Sequence, residues 1–573
     1  MKIAVHRKPV SSFLPLLDTL RNYNRRWIIK DVVSGLSVCI VMIPSVIAYA
    51  ELVHLPPITG LYAALAASIG YALFASSRHV IAGPDAAIGL LAGSAILPLA
   101  LNDPARMAFL AAELSLLAGV VLLLGARLRL GVIAELLSRP VLIGYLNGAS
   151  LVLISTQLGK MFAIKTQGEE FFPLLSTLVG QLPNTHLPTL AFGVLLVLLL
   201  VSLARWLPSV PGALVTSAVA ILGTFVFDLG QLGIALVGNV PSGIPELSVP
   251  MPLWSDIAAL APASVAIAFL AFSDGILLAQ TFAEKHGYQV NPNQELMALG
   301  SANILASMWQ GFPVSASQSR TSIVDATGGH SQMAQVVAAS GLLLFLLFLT
   351  GLISLLPKVA LGAILIVTAA GMLEMASLRN LYKVDRNEFT IAMGVTLAIL
   401  IAGVVPGIIA GLLVSLIAVL VEISRPRDAV LRRLIKDGKF HDCLEDDEAE
   451  NVPGVIVYRL YAPLIFANAR YVVGRIQQLV NDAGADLEWL ILDAQAIPDM
   501  DVTAAQRFAE LHREMREQGV EIKIADAPRP FREELAKVGL SEALGNQQFF
   551  VSVKKAVEAF EQRPKIQEPL QKS

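Results

Sequence analysis

Cysteine and charge are both scarce in this chain. Only two cysteines, Cys39 and Cys443, occur in 573 residues, far apart and without metal-ligand spacing, which excludes a disulfide framework and a cysteine-built metal site. Charged residues make up 15% of the chain against 55% hydrophobic, and the mean hydropathy is +0.66. A soluble protein of this size does not carry such a composition, whereas a polytopic membrane protein does. Basic patches interleaved with aromatics are missing, so nucleic-acid binding has no support. No convergent nucleophile–base pair, metal cluster or phosphate loop is visible; an enzyme is not expected, nor a cofactor. A short apolar segment with a small-residue cleavage site is also lacking, so no removable signal peptide is expected.

What the chain has in quantity is apolar sequence in helix-length runs. These recur over residues 31–424, separated by short loops carrying Pro, Gly, Asn and charges. Runs of spanning length plus two shorter ones give about fourteen segments. The formal net charge of −3 conceals a basic N-terminal segment, residues 1–30, with Lys2, Arg7, Lys8, Arg21, Arg25, Arg26 and Lys30. Such a cluster stays in the cytoplasm. An even number of spans returns the chain there, where SRPRDAVLRRLIKDGK (424–439) is again basic. A multi-pass protein of the inner or plasma membrane with cytoplasmic termini is expected. GEEFFPLLSTLVGQLP (168–183) is too short and amphipathic to span and reads as an interfacial helix.

Two stretches break this pattern at mid-membrane depth: HVIAGPDAAIGLLAGSAILPLA (79–100) and SMWQGFPVSASQSRTSIVDATGG (307–329). Each has a Gly/Pro break and then a short helical run of small and hydroxyl residues. The first run is expected to end at Pro98 and the second at Gly328-Gly329, each about half the ~20 residues a span needs. Irregular backbone at that depth is tolerable only inside protein or facing water. Paired half-helices in matching positions point to the substrate site of a secondary transporter, and their N-terminal N–H groups favour an anion. Spacing supports a duplication: Pro44 to Pro84 is 40 residues and Asp274 to Pro313 is 39. The expected core is seven plus seven helices, inverted if an odd number of spans separates the copies.

Beyond a linker (425–454) ending in the acidic LEDDEAENVPG, the pattern changes to β-α-β-α-β-α over residues 455–562, followed by a tail, 563–573. VIVYRLY, WLILDAQ and VEIKIAD read as strands; ARYVVGRIQQLVND, VTAAQRFAELHREMREQG, FREELAKVGL and FVSVKKAVEAFEQ read as helices. This is a compact α/β domain with its own core.

IPSVIAYAELVHLPPITGLYAAL, SSRHVIAGPDAA, LLSRPVLIGYLNG (136–148) and FPVSASQSRTSI together resemble the sulfate permease (SulP) family of anion transporters. LILDAQAIPDMDVTAAQRFAELH resembles the STAS domain attached to those carriers. The resemblance implies a seven-plus-seven inverted repeat in which mobile core helices work against a static gate. It also implies an anion substrate such as sulfate, bicarbonate, a dicarboxylate or chloride, moved by symport, exchange or conduction. Sulfate-type, proton-coupled symport by alternating access is the expected function, and a homodimer in the lipid bilayer the expected assembly. A sensor signalling through the STAS domain from a core that no longer transports is the rival.

Asp274 lies midway along VAIAFLAFSDGILLAQTFA and Arg320 just inside the second half-helix; pairing them is the cheap way to hold both at depth. In the functional reading Asp274 is the proton-coupling acid and Arg320 an anion ligand that releases it when substrate binds. The alternative is a fixed structural pair. The resemblance places an acidic residue at Asp274 in proton-coupled relatives; some sodium-coupled ones carry Asp with a hydroxyl one turn later, where this chain has Leu278. Ser317 and Ser319 either cap the half-helix or donate to the anion. The resemblance singles out Ser319 and Arg320 in SASQSR as ligands. Asp85 is read as a cap, with a second titrating group as the alternative, leaving the Ala86 and Ala87 N–H groups to the anion. Ser45 and Tyr49 share a helix face; the resemblance makes it substrate-facing, often with an amide at Ser45. Glu113, in MAFLAAELSLL, is left unassigned. In the STAS domain, Asp501 and Thr503 match the helix start where related switch domains are phosphorylated; Thr503 is read as a cap ahead of a modification site.

Overall fold

The computed structural model describes residues 14–101, 103–131, 138–164, 171–207, 210–238, 240–244, 246–251, 253–436, 438–442, 449–537, 539 and 548–563. Cys443, most of the acidic stretch 444–448, Lys2, Arg7, Lys8, the ends of the 136–148 and 168–183 motifs, Val538, Leu540 and the tail from 564 lie outside them. The chain forms two compact units, residues 1–415 and 416–573.

In the first unit a short α1 (Pro15–Arg21) precedes α2 (Ile28–Leu52), α3 (Pro57–Phe74), α4 (Ala86–Ala100), α5 (Pro104–Arg127) and α6 (Arg139–Phe162). Then come α7 (Phe171–Gln181), α8 (Leu187–Trp206), α9 (Gly212–Phe227), α10 (Trp254–His286), α11 (Pro292–Met308) and α12 (Gln318–Ala326). The series closes with α13 (Met333–Phe348), α14 (Lys358–Met372), α15 (Met375–Val384), α16 (Arg386–Ala402) and α17 (Val404–Ser424), the unit boundary falling inside α17. Among the described residues eight helical stretches are long and apolar enough to cross a membrane, one of them α14 running on into α15, and α4, α9 and α13 are shorter apolar helices. With α11, α12 and α16 they make two sets of seven among the described residues, α2 to α9 without α7 and α10 to α17 without α15. Seven is odd, so the second set is inverted relative to the first. Helix α7 spans 11 residues, too short to cross a membrane, and buries only Leu174 and Leu178.

The repeats interlock. Each half-helix packs on the first helix of the other set, α4 on α10 and α12 on α2, while α11 packs against α3 and α5. A second group forms where α6 packs against α14 and α16, and α14 against α8. Small residues allow this closeness: a Cβ at Gly93 of α4 would lie 2.1 Å from the Leu52 carbonyl oxygen of α2.

The breaks before α4 and α12 pair with each other. Strands β1 (Ala82–Gly83) and β2 (Ser315–Ala316) run antiparallel, Ala82 opposite Ala316 and Gly83 opposite Ser315. Two-residue strands carry no periodic signal, so this pairing was not expected from sequence. The expected stop at Pro98 is corrected: α4 continues to Ala100 and ends at Leu101 with φ 49°. A proline in the last turn costs little, because only one intrahelical bond near the helix end is lost. At the other break, α12 ends as expected, with Gly328 at φ 76° and the Gly329 N–H on the Val324 carbonyl at 2.8 Å.

The second unit is an α/β domain. After the short β4 (Phe440–His441) and β5 (Ala449–Glu450), β6 (Val455–Leu460), β7 (Trp489–Asp493), β8 (Glu521–Ala525) and β9 (Phe549–Phe550) pair in parallel. Helices α18 (Ala469–Ala483), α19 (Val502–Glu517), α20 (Arg529–Lys537) and α21 (Val553–Glu561) alternate with them. One expectation is corrected: β3 (Asp428–Leu434), inside the supposed linker, lies antiparallel to β6 and is part of the sheet. Its arginines made it read as a basic loop, yet Arg433 is paired with Glu450 and Glu561, so the strand carries its charge already neutralised.

Candidate functional site

The site is built where β1 crosses β2, because that pairing fixes the starts of α4 and α12 on opposite strands. Buried amides hold the irregular backbone. From α11, Asn303 accepts the Val314 N–H at 3.0 Å and donates to the Val314 carbonyl at 3.0 Å. From α13, Gln335 accepts the Ala82 N–H at 3.3 Å and donates to the Ala82 carbonyl at 3.1 Å. The Thr321 hydroxyl accepts from the Ile81 N–H at 3.1 Å and donates to the Ser317 carbonyl at 2.7 Å. Sequence reasoning missed all three. For Asn303 and Gln335 the signal was an amide within an apolar helix, which is costly unless it satisfies backbone left without a ladder.

Arg320 is 2% exposed. Its Nη2 donates to the Pro84 carbonyl at 2.6 Å, while Nε and Nη1 are buried without a partner. Gly83 makes room for it: a Cβ there would sit 3.3 Å from Nη2. The pairing of Arg320 with Asp274 is corrected. Among the described residues Asp274 makes no ion pair and no side-chain hydrogen bond, and the carboxylate in electrostatic range of Arg320 is Asp85. The Pro84 carbonyl and Asp85 share the neutralising role that sequence reasoning gave to Asp274. Asp274 in turn lies within electrostatic range of Asp85.

The two half-helix ends differ. Asp85 is the N-cap of α4, its Oδ1 accepting the Ala87 N–H at 3.0 Å, and the Ala86 and Ile88 N–H groups also point their polarity at it. The expectation that the Ala86 and Ala87 N–H groups stay free for an anion is therefore corrected: the resident carboxylate occupies them. At α12, Ser317 takes the N-cap position yet makes no capping bond; its hydroxyl lies 3.3 Å from that of Ser319. Ser317 is buried and Ser319 exposed to open space. The cap reading of these serines is not realised, so the α12 N-terminus presents free N–H groups, two hydroxyls and a guanidinium.

Tyr49 is buried within electrostatic range of both Asp85 and Arg320, so the structure brings it to the site. Ser45 is half-buried, its hydroxyl donating to the Val41 carbonyl at 3.1 Å. From α6, the Tyr145 hydroxyl donates to the Ala87 carbonyl at 2.9 Å, another contact sequence reasoning missed. Glu113 is fully buried elsewhere, both carboxylate oxygens without a partner, near Arg106 and Asp256, which pair at 2.6 Å. A cavity of 1030 Å³ includes Leu90 and Gly93 of α4, is flanked by the Glu51–Lys160 ion pair and contains none of the expected ligands. In the α/β domain the cap of α19 is Asp501, whose Oδ1 accepts the Ala504 N–H at 2.8 Å, whereas Thr503 is exposed; the cap reading of Thr503 is corrected.

Two inverted sets of seven helices, with half-helices meeting beside a buried arginine and one of the two ends uncapped, define the class of polytopic membrane anion transporters. The description "Sulfate permease family" matches residues 28–395 and "STAS domain" residues 448–556. A probable sulfate transporter of Mycobacterium tuberculosis is 36% identical over 96% of this chain and 99% of its own length. Solute carrier family 26 member 6 of Homo sapiens is 32% identical over 83% of this chain and 66% of its own. In fold, murine Solute Carrier 26 family member A9, an anion transporter solved in its inward-facing state, is similar with TM-score 0.87 at 23% identity, over 98% of this chain and 97% of that one. The chain belongs to the sulfate permease family and carries its C-terminal STAS domain.

Proposed function

We propose that this protein is a secondary active transporter of a small oxyanion, sulfate first among candidates, that moves with protons by alternating access. The observation that carries the reading is Arg320, a buried guanidinium whose Nε and Nη1 have no acceptor among the described residues. A tetrahedral or planar oxyanion supplies those acceptors, and the Ser317 and Ser319 hydroxyls with the α12 N–H groups complete its shell. Tyr49 and Ser45 line the approach from α2. Asp274, without a partner of its own, exchanges the coupling proton. In the transport cycle α2 to α5 and α10 to α13 carry the site past α6, α8, α9, α14, α16 and α17. The protein works as a homodimer in the inner or plasma membrane with cytoplasmic termini, and its STAS domain serves assembly and regulation.

Sulfate uptake into proteoliposomes, under separately imposed proton and sodium gradients, tests this. Wild type accumulates sulfate with the proton gradient and ignores sodium, while Asp274→Asn loses accumulation yet keeps sulfate binding. Accumulation at the wild-type rate in Asp274→Asn removes that residue from the mechanism. Sodium-driven uptake indifferent to pH, or bicarbonate or dicarboxylate uptake without sulfate uptake, overturns the substrate or coupling assignment. No uptake of any anion favours the sensor reading.

A further inference from the structure

We infer that Asp85 is a second proton-carrying group of the site, and that the protons taken up on binding match the charge of the anion. The inference rests on the proton-coupled reading above and deepens it. Pro84, whose carbonyl receives Arg320 Nη2 at 2.6 Å, is the residue before Asp85, so carboxylate and guanidinium are separated by a single peptide unit of β1's continuation. Asp85 caps α4, is half-buried and forms no ion pair among the described residues.

The groups facing Asp85 come from four elements: Tyr49 of α2, Tyr145 of α6, Asp274 of α10 and Arg320 of α12. The charged groups Arg106 and Glu113 of α5, which also packs on α4, interact with Asp256 instead. Among the described residues Arg320 is therefore the lone cation facing Asp85, while Asp274 adds a second carboxylate in range of Asp85 but beyond that cation's reach.

Capping alone does not call for a carboxylate here. Serine or asparagine caps a helix as well without adding charge beside an anion's seat. In the empty site an ionised Asp85 serves as the counter-charge of Arg320. An arriving anion competes for the same guanidinium, and each further negative charge set against that one cation at depth is costly. The carboxylate resolves the conflict by taking up a proton supplied by the buffered solution. Neutral Asp85 still caps α4, one oxygen accepting the Ala87 N–H while the other becomes an O–H donor.

Charge counting then sets the number of protons. Arg320 against Asp85 and Asp274 leaves the empty site with one net negative charge. A dianion adds two, and protonating both carboxylates restores the starting value. A monoanion requires one proton. By linkage, the same protons that arrive with the anion raise its affinity.

The test titrates sulfate into purified full-length protein by calorimetry, in two buffers of different ionisation enthalpy, and reads protons taken up per sulfate. Wild type is expected to take up about two, and Asp85→Ser and Asp274→Asn about one each. Serine at position 85 keeps the cap, so the variant separates titration from helix stability. Uptake in Asp85→Ser equal to wild type makes Asp85 a cap only and overturns the inference. Wild-type uptake of about one that vanishes in Asp274→Asn overturns it too, while leaving the proposed function standing; no uptake in wild type removes both. Should Asp85→Ser fail to fold, infrared difference spectra of wild type with and without sulfate decide. Two new protonated-carboxyl stretches support the inference and a single one contradicts it.

Discussion

At the start of α4 a carboxylate accepts the first free N–H groups, whereas at the start of α12 a serine in the same position leaves them open and an arginine stands one turn in. The two ends derive from equivalent places in the repeat and face one another across β1 and β2. Their chemistry has diverged in opposite directions. Asp85 satisfies its helix at a gain of about 1 kcal/mol, and the second helix forgoes a similar amount. Stability given up at one end of a matched pair marks where function sits, because an unfilled helix N-terminus beside a buried cation waits for an anion. A duplicated fold thus supplies two similar backbones, and side chains divide the labour between them.

Making the second end like the first should have the largest effect. Ser317→Asp puts a resident carboxylate beside Arg320 with no change of helix. Sulfate affinity measured by calorimetry should fall by at least about 100-fold, with thermal stability kept or raised. The supports of the two strands come next. Asn303→Leu leaves the Val314 N–H and carbonyl unsatisfied in the core and should cost about 2–5 kcal/mol, seen as a lower unfolding temperature in detergent. Gln335→Leu does the same to Ala82 through longer bonds and should cost less. Equal stability of either leucine variant and wild type would show that the amides do not hold the crossing. The smallest effect belongs to the α/β domain. Chain ended at about residue 424, before β3, should bind sulfate within about 2-fold of wild type while losing dimer content or transport rate. Loss of binding in a folded, monodisperse truncation would contradict the placement of every ligand in the first unit.

Much of this was legible in the sequence. Gly/Pro breaks inside apolar runs announced both half-helices, matched spacing announced the duplication, and the switch to period-two strands marked the second unit. What stayed hidden depends on partners distant in the chain. Asn303 reaches 11 residues and Gln335 253, and nothing local to an amide says which backbone it will serve. The Asp274–Arg320 pair failed for a related reason. Sequence reasoning neutralised one buried charge with the other, but a folded backbone also offers carbonyls, and the Pro84 oxygen lies where the guanidinium needs it. Strand β3 was hidden by arginines that charge rules assign to a loop.

Sulfate titration of Arg320→Ala against wild type, in detergent and at one pH, tests the central claim most directly. If the two unpartnered nitrogens are the anion's seat, affinity falls by at least about 100-fold, since each of the two charge-assisted bonds contributes about 1.5–3 kcal/mol. Arg320→Lys should recover only part of it, because an ammonium lacks the planar fork. Wild-type affinity in a folded Arg320→Ala variant would place the anion elsewhere and contradict the account.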